Sequence, residues 1–345
     1  MSRRIDDAPA LLARLRVVHA AIRDAVVEQC ESAAVEQLAA VVAHEGGDTV
    51  FAVDRVAESV LLRHFARVAE QWPCVLVVEG LGDTGRVVLP AGTSEADALV
   101  RVIVDPIDGT RGLMYQKRSA WILTGVAPDR GDQTCLADIT VALQTEIPLV
   151  KQHLSDSFWV VDGVIGGERY DRVSGTRTPL VPRPSQADTI EGGFGGLVRF
   201  FPGSRAVLAA VDDEVVEHLL GPPTTGRAQA FEDQYICTGG QLYELLMGHD
   251  RWVADLRPLL RAAGRTPGLC CHPYDMCTES IARAAGVRVT DESGGRLRAP
   301  LDVHTDVAWI GYANTALEDQ VRPPLLGALR RHGLLGDGDG PDVAR

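Results

Sequence analysis

Apolar residues recur at helical intervals from Ala10 to about Cys30 (Leu11, Leu12, Leu15, Val18, Ile22, Val26), which predicts an amphipathic helix near the start of the chain. The stretch HEGGDTVF breaks that pattern. A second helix is expected from Asp54 through RVAESVLLRHFARV, with Asp54 near its start. The apolar run CVLVVEG reads as a buried strand ending at Glu79, and RVIVDP as the next, stopped at Pro106 because proline has no N–H to give a ladder. SAWILTGVAP predicts a further strand, and ITVALQTEIPLV, SFWVVDGVIGG and the proline-rich TPLVPRPSQ read as strands and loops. The clearest break lies between Arg177 and Ala187. After it come three expected helices, SRAVLAAVDDEVVEHLL, GGQLYELLMG and ESIARAAG, the last capped by Gly286, then the strand VRVTD and the turn ESGG. Helices and strands interleave throughout, which reads as an α/β fold without internal repeats, and residues 336–345, GDGDGPDVAR, read as a frayed acidic tail.

The 345 residues, 46% of them hydrophobic, suffice for a sizeable core in one large domain or two coupled halves. A net charge of −13 argues against nucleic acid as a partner, since phosphate-backbone binding needs a concentrated basic surface. A metal or a small ligand is the expected partner instead. No run of eighteen apolar residues predicts a membrane span, and MSRRIDDAPALL lacks the apolar stretch and cleavage site of a secretory signal, so the chain reads as cytoplasmic. Seven cysteines include no C-x-x-C pair and nine histidines no H-x-x-x-H pair, so neither points to zinc, and the adjacent Cys270 and Cys271 read as core filler. EGGFGGLVRFF is glycine-rich but matches neither the dinucleotide nor the Walker pattern, and reads as an ordinary connection.

The chemistry concentrates in VDPIDGT. Asp105 ends an apolar strand, where α/β proteins place their ligands, and Asp108 follows one tight turn later. Two carboxylates about 4 Å apart in a partly screened site repel by about 4 kcal/mol. Protonation offsets that repulsion, and so does a hard cation such as magnesium, which takes oxygen ligands and keeps positions open for water and phosphate. Gly109 and Thr110 add backbone N–H groups at a helix start, a seat for an anion. The plainer reading of Asp-x-x-Asp-Gly-Thr is a turn before a capped helix.

DPIDGT resembles the signature of the inositol monophosphatase family, within the superfamily that also holds fructose bisphosphatases and bisphosphate nucleotidases. The resemblance extends upstream to FAVDRVAESVLLRHF and the strand ending at Glu79, and downstream to CHPYDMCTESIARAAGVRVTDESGG, four segments in the family's order. It implies an αβαβα sandwich, one catalytic domain over residues 1–335 with halves of about 1–180 and 187–335, and a homodimer. It also implies a Mg2+-dependent phosphomonoesterase that splits a small phosphorylated polyol, sugar or nucleotide by direct water attack. On this resemblance Glu79, Asp105, Asp108, Asp275 and the carbonyl of Ile107 hold two or three magnesium ions, Asp54 and Thr110 activate the water with Glu79 beside them, and Gly109 and Thr110 hold the phosphate.

Each residue has a plainer alternative: Asp54 and Asp275 as helix caps, Glu79 as a surface carboxylate. The chain also departs from the pattern. Gly80 stands where the family has a second glutamate, with Asp83 as the nearby substitute, and Tyr274 replaces a tryptophan. Glu279 is expected to face solvent, one turn beyond Asp275, and His272 to be packed or solvated. DGTRGLM is closer to the form seen in bisphosphate nucleotidases, which makes Arg111 a candidate for a second anionic group, while FEDQYICTGGQLYEL is expected on the substrate side, with Glu232 or Asp233 accepting hydroxyl hydrogen bonds. An aspartyl-phosphate phosphatase of the haloacid dehalogenase type is excluded by spacing, since Pro106 occupies the nucleophile's position. A phosphate-ligand binder that has lost turnover is the alternative outside enzymes.

Overall fold

Helix α1 (Ala8–Ser32) buries Leu11, Leu15, Val18, Ile22 and Val26 along one stripe, the face that their spacing predicts. The computed structural model describes residues 5–32, 41–45, 48–82 and 84–336, so Asp83 and the tail from 337 onward lie outside the described residues. A hairpin of β1 (Val41–Glu45) and β2 (Asp48–Phe51) leads into α2 (Ala52–Val68), which packs on α1.

Both helices cover one face of a large sheet built from β3 (Cys74–Val78), β4 (Arg86–Leu89), β5 (Val100–Asp108), β6 (Ala120–Pro128), β7 (Val141–Ile147), β8 (Leu154–Val161), β9 (Val164–Asp171) and β10 (Arg177–Pro179). The spatial order is β10-β9-β8-β7-β6-β5-β3-β4, antiparallel throughout except for the β3–β5 pair. Strand periodicity divides the core. Leu76, Val102, Val104 and Ile122 face α1 and α2, while Val75, Val77, Ile103 and Leu123 face the opposite side. Because both faces are covered, the central strands are continuous apolar runs, the feature that made them legible as strands.

On that opposite side lie α5 (Thr238–Leu246), α7 (Pro273–Met276) and α8 (Glu279–Ala284). A second sheet follows, in the order β11 (Phe194–Leu197), β12 (Asp250–Asp255), β14 (Trp309–Tyr312), β13 (Arg288–Thr290). Helices α4 (Arg205–Leu220) and α9 (Thr315–Arg331) pack together on its far side, and the short α6 (Arg257–Ala262) follows β12. The result is the expected αβαβα sandwich. Among the described residues no helix is long and apolar enough to cross a membrane.

Two elements, β5 and β11, differ from the sequence expectation, and a third, α9, has no counterpart in it. Pro106 does not stop β5: the strand runs on to Asp108, with Asp105 opposite Leu123 and Asp108 opposite Trp121, three residues facing two. That extra residue is a β-bulge, a place where a ladder tolerates proline. Residues three apart in a regular strand point to opposite faces, so the bulge is what lets Asp105 and Asp108 converge. The glycine-rich connection is strand β11, where a Cβ on Gly195 would meet the Trp252 ring of β12 at 2.4 Å. Helix α9 carries Pro323 and Pro324 in its interior, and each interior proline costs about 3 kcal/mol. Buried Leu317, Val321, Leu325 and Leu329 offset this, at about 1.5–3 kcal/mol each.

Glu279 also departs from expectation, being 2% exposed on α8 rather than facing solvent. It is the helix's first residue and packs inward against the large sheet, with Arg283 Nε 3.5 Å away as its ion-pair partner. Burial pushes its carboxyl up to about 7, against the pull of Arg283 and Arg296. On α1, His19 sits between the Thr124 and Thr145 hydroxyls at 2.8 and 3.0 Å, and burial, helped by Arg23, lowers its pKa to about 3.

Opposite pH dependences follow. The folded chain holds a proton on Glu279 that the unfolded chain has released, so this contribution is lost as pH rises from about 4.5 through 7, by about 3 kcal/mol in total. Denaturant titrations at several pH values are expected to show Glu279→Gln gaining on the wild type across that window. For His19 the unfolded chain binds the extra proton, so stability is lost as pH falls from about 6.5 to 3, at up to about 1.4 kcal/mol per pH unit. His19→Gln is expected to flatten that acid limb, whatever its cost at neutral pH.

Candidate active site

The ends of β3 and β5, the start of α5 and the short α7 meet at a cleft of about 530 Å3 between the large sheet and the second half of the chain. At its floor, Asp105, Asp108 and Asp275 each offer a carboxylate oxygen, and the three oxygens lie within 4.8 Å of one another. Asp105 and Asp108 are 2% and 7% exposed. Glu79, the first residue after β3, lines the same cleft.

Each carboxylate is held by the backbone. Asp105 Oδ1 accepts the Ile107 N–H at 2.9 Å across the bulge. Asp108 Oδ2 accepts the Gly239 N–H at the start of α5, where the helix dipole favours a negative charge. A Cβ on Gly239 would lie 3.1 Å from that oxygen and 2.7 Å from Leu123, so the close approach requires glycine. Asp275 Oδ2 accepts the His272 N–H at 2.6 Å, so Asp275 closes the first turn of α7 from inside it, whereas Thr278, not Asp275, stands at the cap of the helix that follows. A carboxylate oxygen that accepts an N–H keeps a second lone pair and has a second oxygen beside it, so capping and ligation can coexist.

Burial raises all three acids, and crowding with like charges adds to it at Asp105 and Asp275. Burial comes first for Asp105, then repulsion from Glu79, Asp108 and Asp275, against the Ile107 amide, and the carboxyl stands well above its usual range. Burial likewise raises Asp275 well above its range, followed by Asp108 and Glu79. Asp108 is lifted only to about 6, because the amides at the start of α5 and the Cys237 thiol favour its anion.

At the cleft's edge, Thr110 Oγ1 lies 3.0 Å from Asp54 Oδ1 and 2.8 Å from the Ile107 carbonyl. Asp54 also takes the Phe51 N–H at 2.8 Å, so it caps α2 and faces Thr110 at once. Gly109 turns the chain into α3 (Thr110–Met114) with φ of +96°, and a Cβ there would sit 3.0 Å from Cys237. Arg111 lines the cleft with its guanidinium 5.7 Å from the Phe51 ring and 5.5 Å from Phe201.

Glu232 is not brought to the cleft. It pairs with Arg199 and accepts from Gln234 at 2.7 Å, while Asp233 pairs with Arg118. Phe231 bridges to Phe194 of β11 and holds this segment at the edge of the small sheet, so its acids point elsewhere. The same segment reaches the cleft farther on, through Ile236, Cys237 and Thr238. Sequence reasoning missed Phe200, Phe201 and Arg257, and underrated His272 and Cys271, which also line it. Arg257, bound to Asp255 and 4.6 Å from the Phe200 ring, carries no sequence signal beyond D-L-R itself. His272 stacks on Tyr274 at 5.2 Å, and the Tyr274 hydroxyl donates to Glu79 at 3.3 Å. Gly80, with φ of +72°, occupies a conformation that disfavours the glutamate the family places there.

No family model matches the chain, and no curated protein does. Solved structures do. Fructose-1,6-bisphosphatase of Leishmania major in its holo form superposes with a TM-score of 0.65 at 13% identity, covering 93% of each chain. Its T-state form gives 0.65 at 11% identity over 96% of each chain. The extragenic suppressor protein SuhB of Bartonella henselae gives 0.61 at 15% identity, over 92% of this chain and 98% of that one. At these identities the likeness speaks for the fold. The chain has the fold of the superfamily that joins the inositol monophosphatases to the fructose-1,6-bisphosphatases.

Proposed function

We propose that the chain is a magnesium-dependent phosphomonoesterase that hydrolyses a small phosphorylated metabolite by direct attack of water. The observation that supports this best is the convergence of Asp105, Asp108 and Asp275 within 4.8 Å. Their set of hard oxygens, on acids that burial raises, suits a divalent cation. Asp105, Asp108, Asp275 and Glu79 would hold two or three Mg2+ ions, with the Ile107 carbonyl as a further ligand. Bound there, the cation supplies charge neutralisation, a lowered water pKa and stabilisation of the leaving oxygen.

The chain's own groups account for the rest. Thr110 Oγ1 has two acceptors, Ile107 O and Asp54 Oδ1. Of these the Asp54 carboxylate is the base, so Asp54 Oδ1 would take the Thr110 proton as Thr110 Oγ1 accepts one from the attacking water. The turn at Gly109 and Thr110 seats the phosphate. Phe200 and Phe201 give the cleft an apolar side.

A bisphosphate substrate, as in the bisphosphate nucleotidases, is the second reading. It is favoured by Arg111, which lines the cleft one residue from the proposed phosphate seat.

Release of inorganic phosphate from a panel of inositol, sugar and nucleotide phosphates, with Mg2+ or with EDTA, tests the proposal. Release that depends on Mg2+ is expected, and Asp108→Asn is expected to lower it at least about a thousandfold, the scale of losing a metal ligand and its electrostatic stabilisation together. A thermal-shift assay adds a readout independent of turnover. Mg2+ at about 100 times its dissociation constant is expected to stabilise the wild type by about 2.7 kcal/mol and the variant much less. In EDTA, Asp108→Asn is expected to match or exceed the wild type, because one buried like charge is gone. Absence of phosphate release across the panel, with stabilisation by phosphate esters retained, would favour a binder.

A further inference from the structure

Gln144 lies on β7, 1% exposed and outside the cleft. In the sheet register Asp105 pairs with Leu123, Leu123 with Gln144, and Gln144 with Phe158, so Gln144 stands in the same cross-strand row as Asp105, two strands away. Its side chain therefore rises from the face that carries the acidic site. It is an amide in a row otherwise filled by Leu123 and Phe158.

Both ends of that amide are used, on two different elements. Nε2 donates to the Gly239 carbonyl at 2.7 Å, and Oε1 accepts from Thr278 Oγ1 at 3.2 Å. Gly239 is the residue whose N–H holds Asp108. Thr278 is fully buried and comes three residues after Asp275, between α7 and α8. One side chain thus ties the residue that fixes Asp108 to the segment that carries Asp275. Leucine loses both ties, and glutamate keeps only the acceptor for Thr278. Leucine of similar size makes no hydrogen bond, and glutamate would set a carboxylate against the Gly239 carbonyl.

We propose that Gln144 is a positioning residue for the acidic cluster: its amide sets the spacing between Asp108 and Asp275 and through it the affinity for a divalent cation. This rests on reading the cluster as a metal site. Gln144 touches neither cation nor substrate, so its effect is to be sought in metal affinity rather than in substrate binding. Groups that orient metal ligands from behind typically change affinity or activity ten- to a hundredfold when lost.

The test compares the wild type with Gln144→Leu and Thr278→Val, using Mn2+ as the probe. Dissociation constants come from calorimetric titration, and phosphate release is followed against metal concentration. For Gln144→Leu the Mn2+ dissociation constant is expected to rise about tenfold or more. The metal concentration for half-maximal activity should rise in parallel, while substrate KM at saturating Mn2+ changes less than about twofold. Thr278→Val cuts one tie and should give a smaller rise in the same direction. Unchanged Mn2+ affinity in both variants, whatever their melting temperatures, would overturn the assignment. If Gln144→Leu fails to fold, Thr278→Val alone decides by the same criterion. A wild type that binds Mn2+ without releasing phosphate would defeat the phosphatase reading and leave the affinity comparison standing, whereas one that binds no Mn2+ defeats both.

Discussion

Mutual repulsion among buried carboxylates is the constraint around which this molecule is arranged. Three aspartates with oxygens inside 4.8 Å, and Glu79 beside them, would not assemble from a chain free to keep them apart. They are forced together by covalent geometry and backbone hydrogen bonds: the bulge of β5 brings Asp105 and Asp108 to one face, the start of α5 grips Asp108, and α7 presents Asp275. Burial lifts all three acids above their ordinary range, repulsion adds to it at Asp105 and Asp275, and in the absence of a cation protons relieve both. A site that stays crowded at that expense is organised for something positively charged.

The layers serve this arrangement. The large sheet supplies the strand ends that carry Glu79, Asp105 and Asp108, and the middle helices close over them from the opposite side. Asp54 and Thr110 enter from α2 and α3, on the side of the first helical layer, so the cleft is lined from several elements distant in sequence. Polar groups buried between sheet and helices, Gln144 and Thr278 among them, make specific ties where apolar packing alone would leave the register loose.

Much of this was legible in the chain. The strands of the large sheet show as apolar runs because both their faces are covered, and α1 shows as a stripe because only one of its faces is. The acidic segment was legible because Asp105, Asp108, Gly109 and Thr110 lie close together in sequence, although the bulge that makes the two aspartates converge was not. What escaped depends on distant partners. Glu232 is a carboxylate in the right segment, yet the Phe231 bridge to β11 turns it toward Arg199. Glu279 follows Asp275 at helical spacing, but no local pattern announces that α8 packs it against the sheet. Strand β11 hides behind its glycines, of which Trp252 requires Gly195, α9 behind two prolines, and the bulge at Pro106 is visible only in the pairing of β5 with β6.

The central claim is that Asp105, Asp108 and Asp275 jointly hold a divalent cation. Crystals soaked in Mn2+ and measured for anomalous scattering address it most directly. The account requires an anomalous peak within coordination distance of all three carboxylates; crystals whose cleft floor carries no such peak at millimolar Mn2+, or whose peak lies elsewhere, would contradict it.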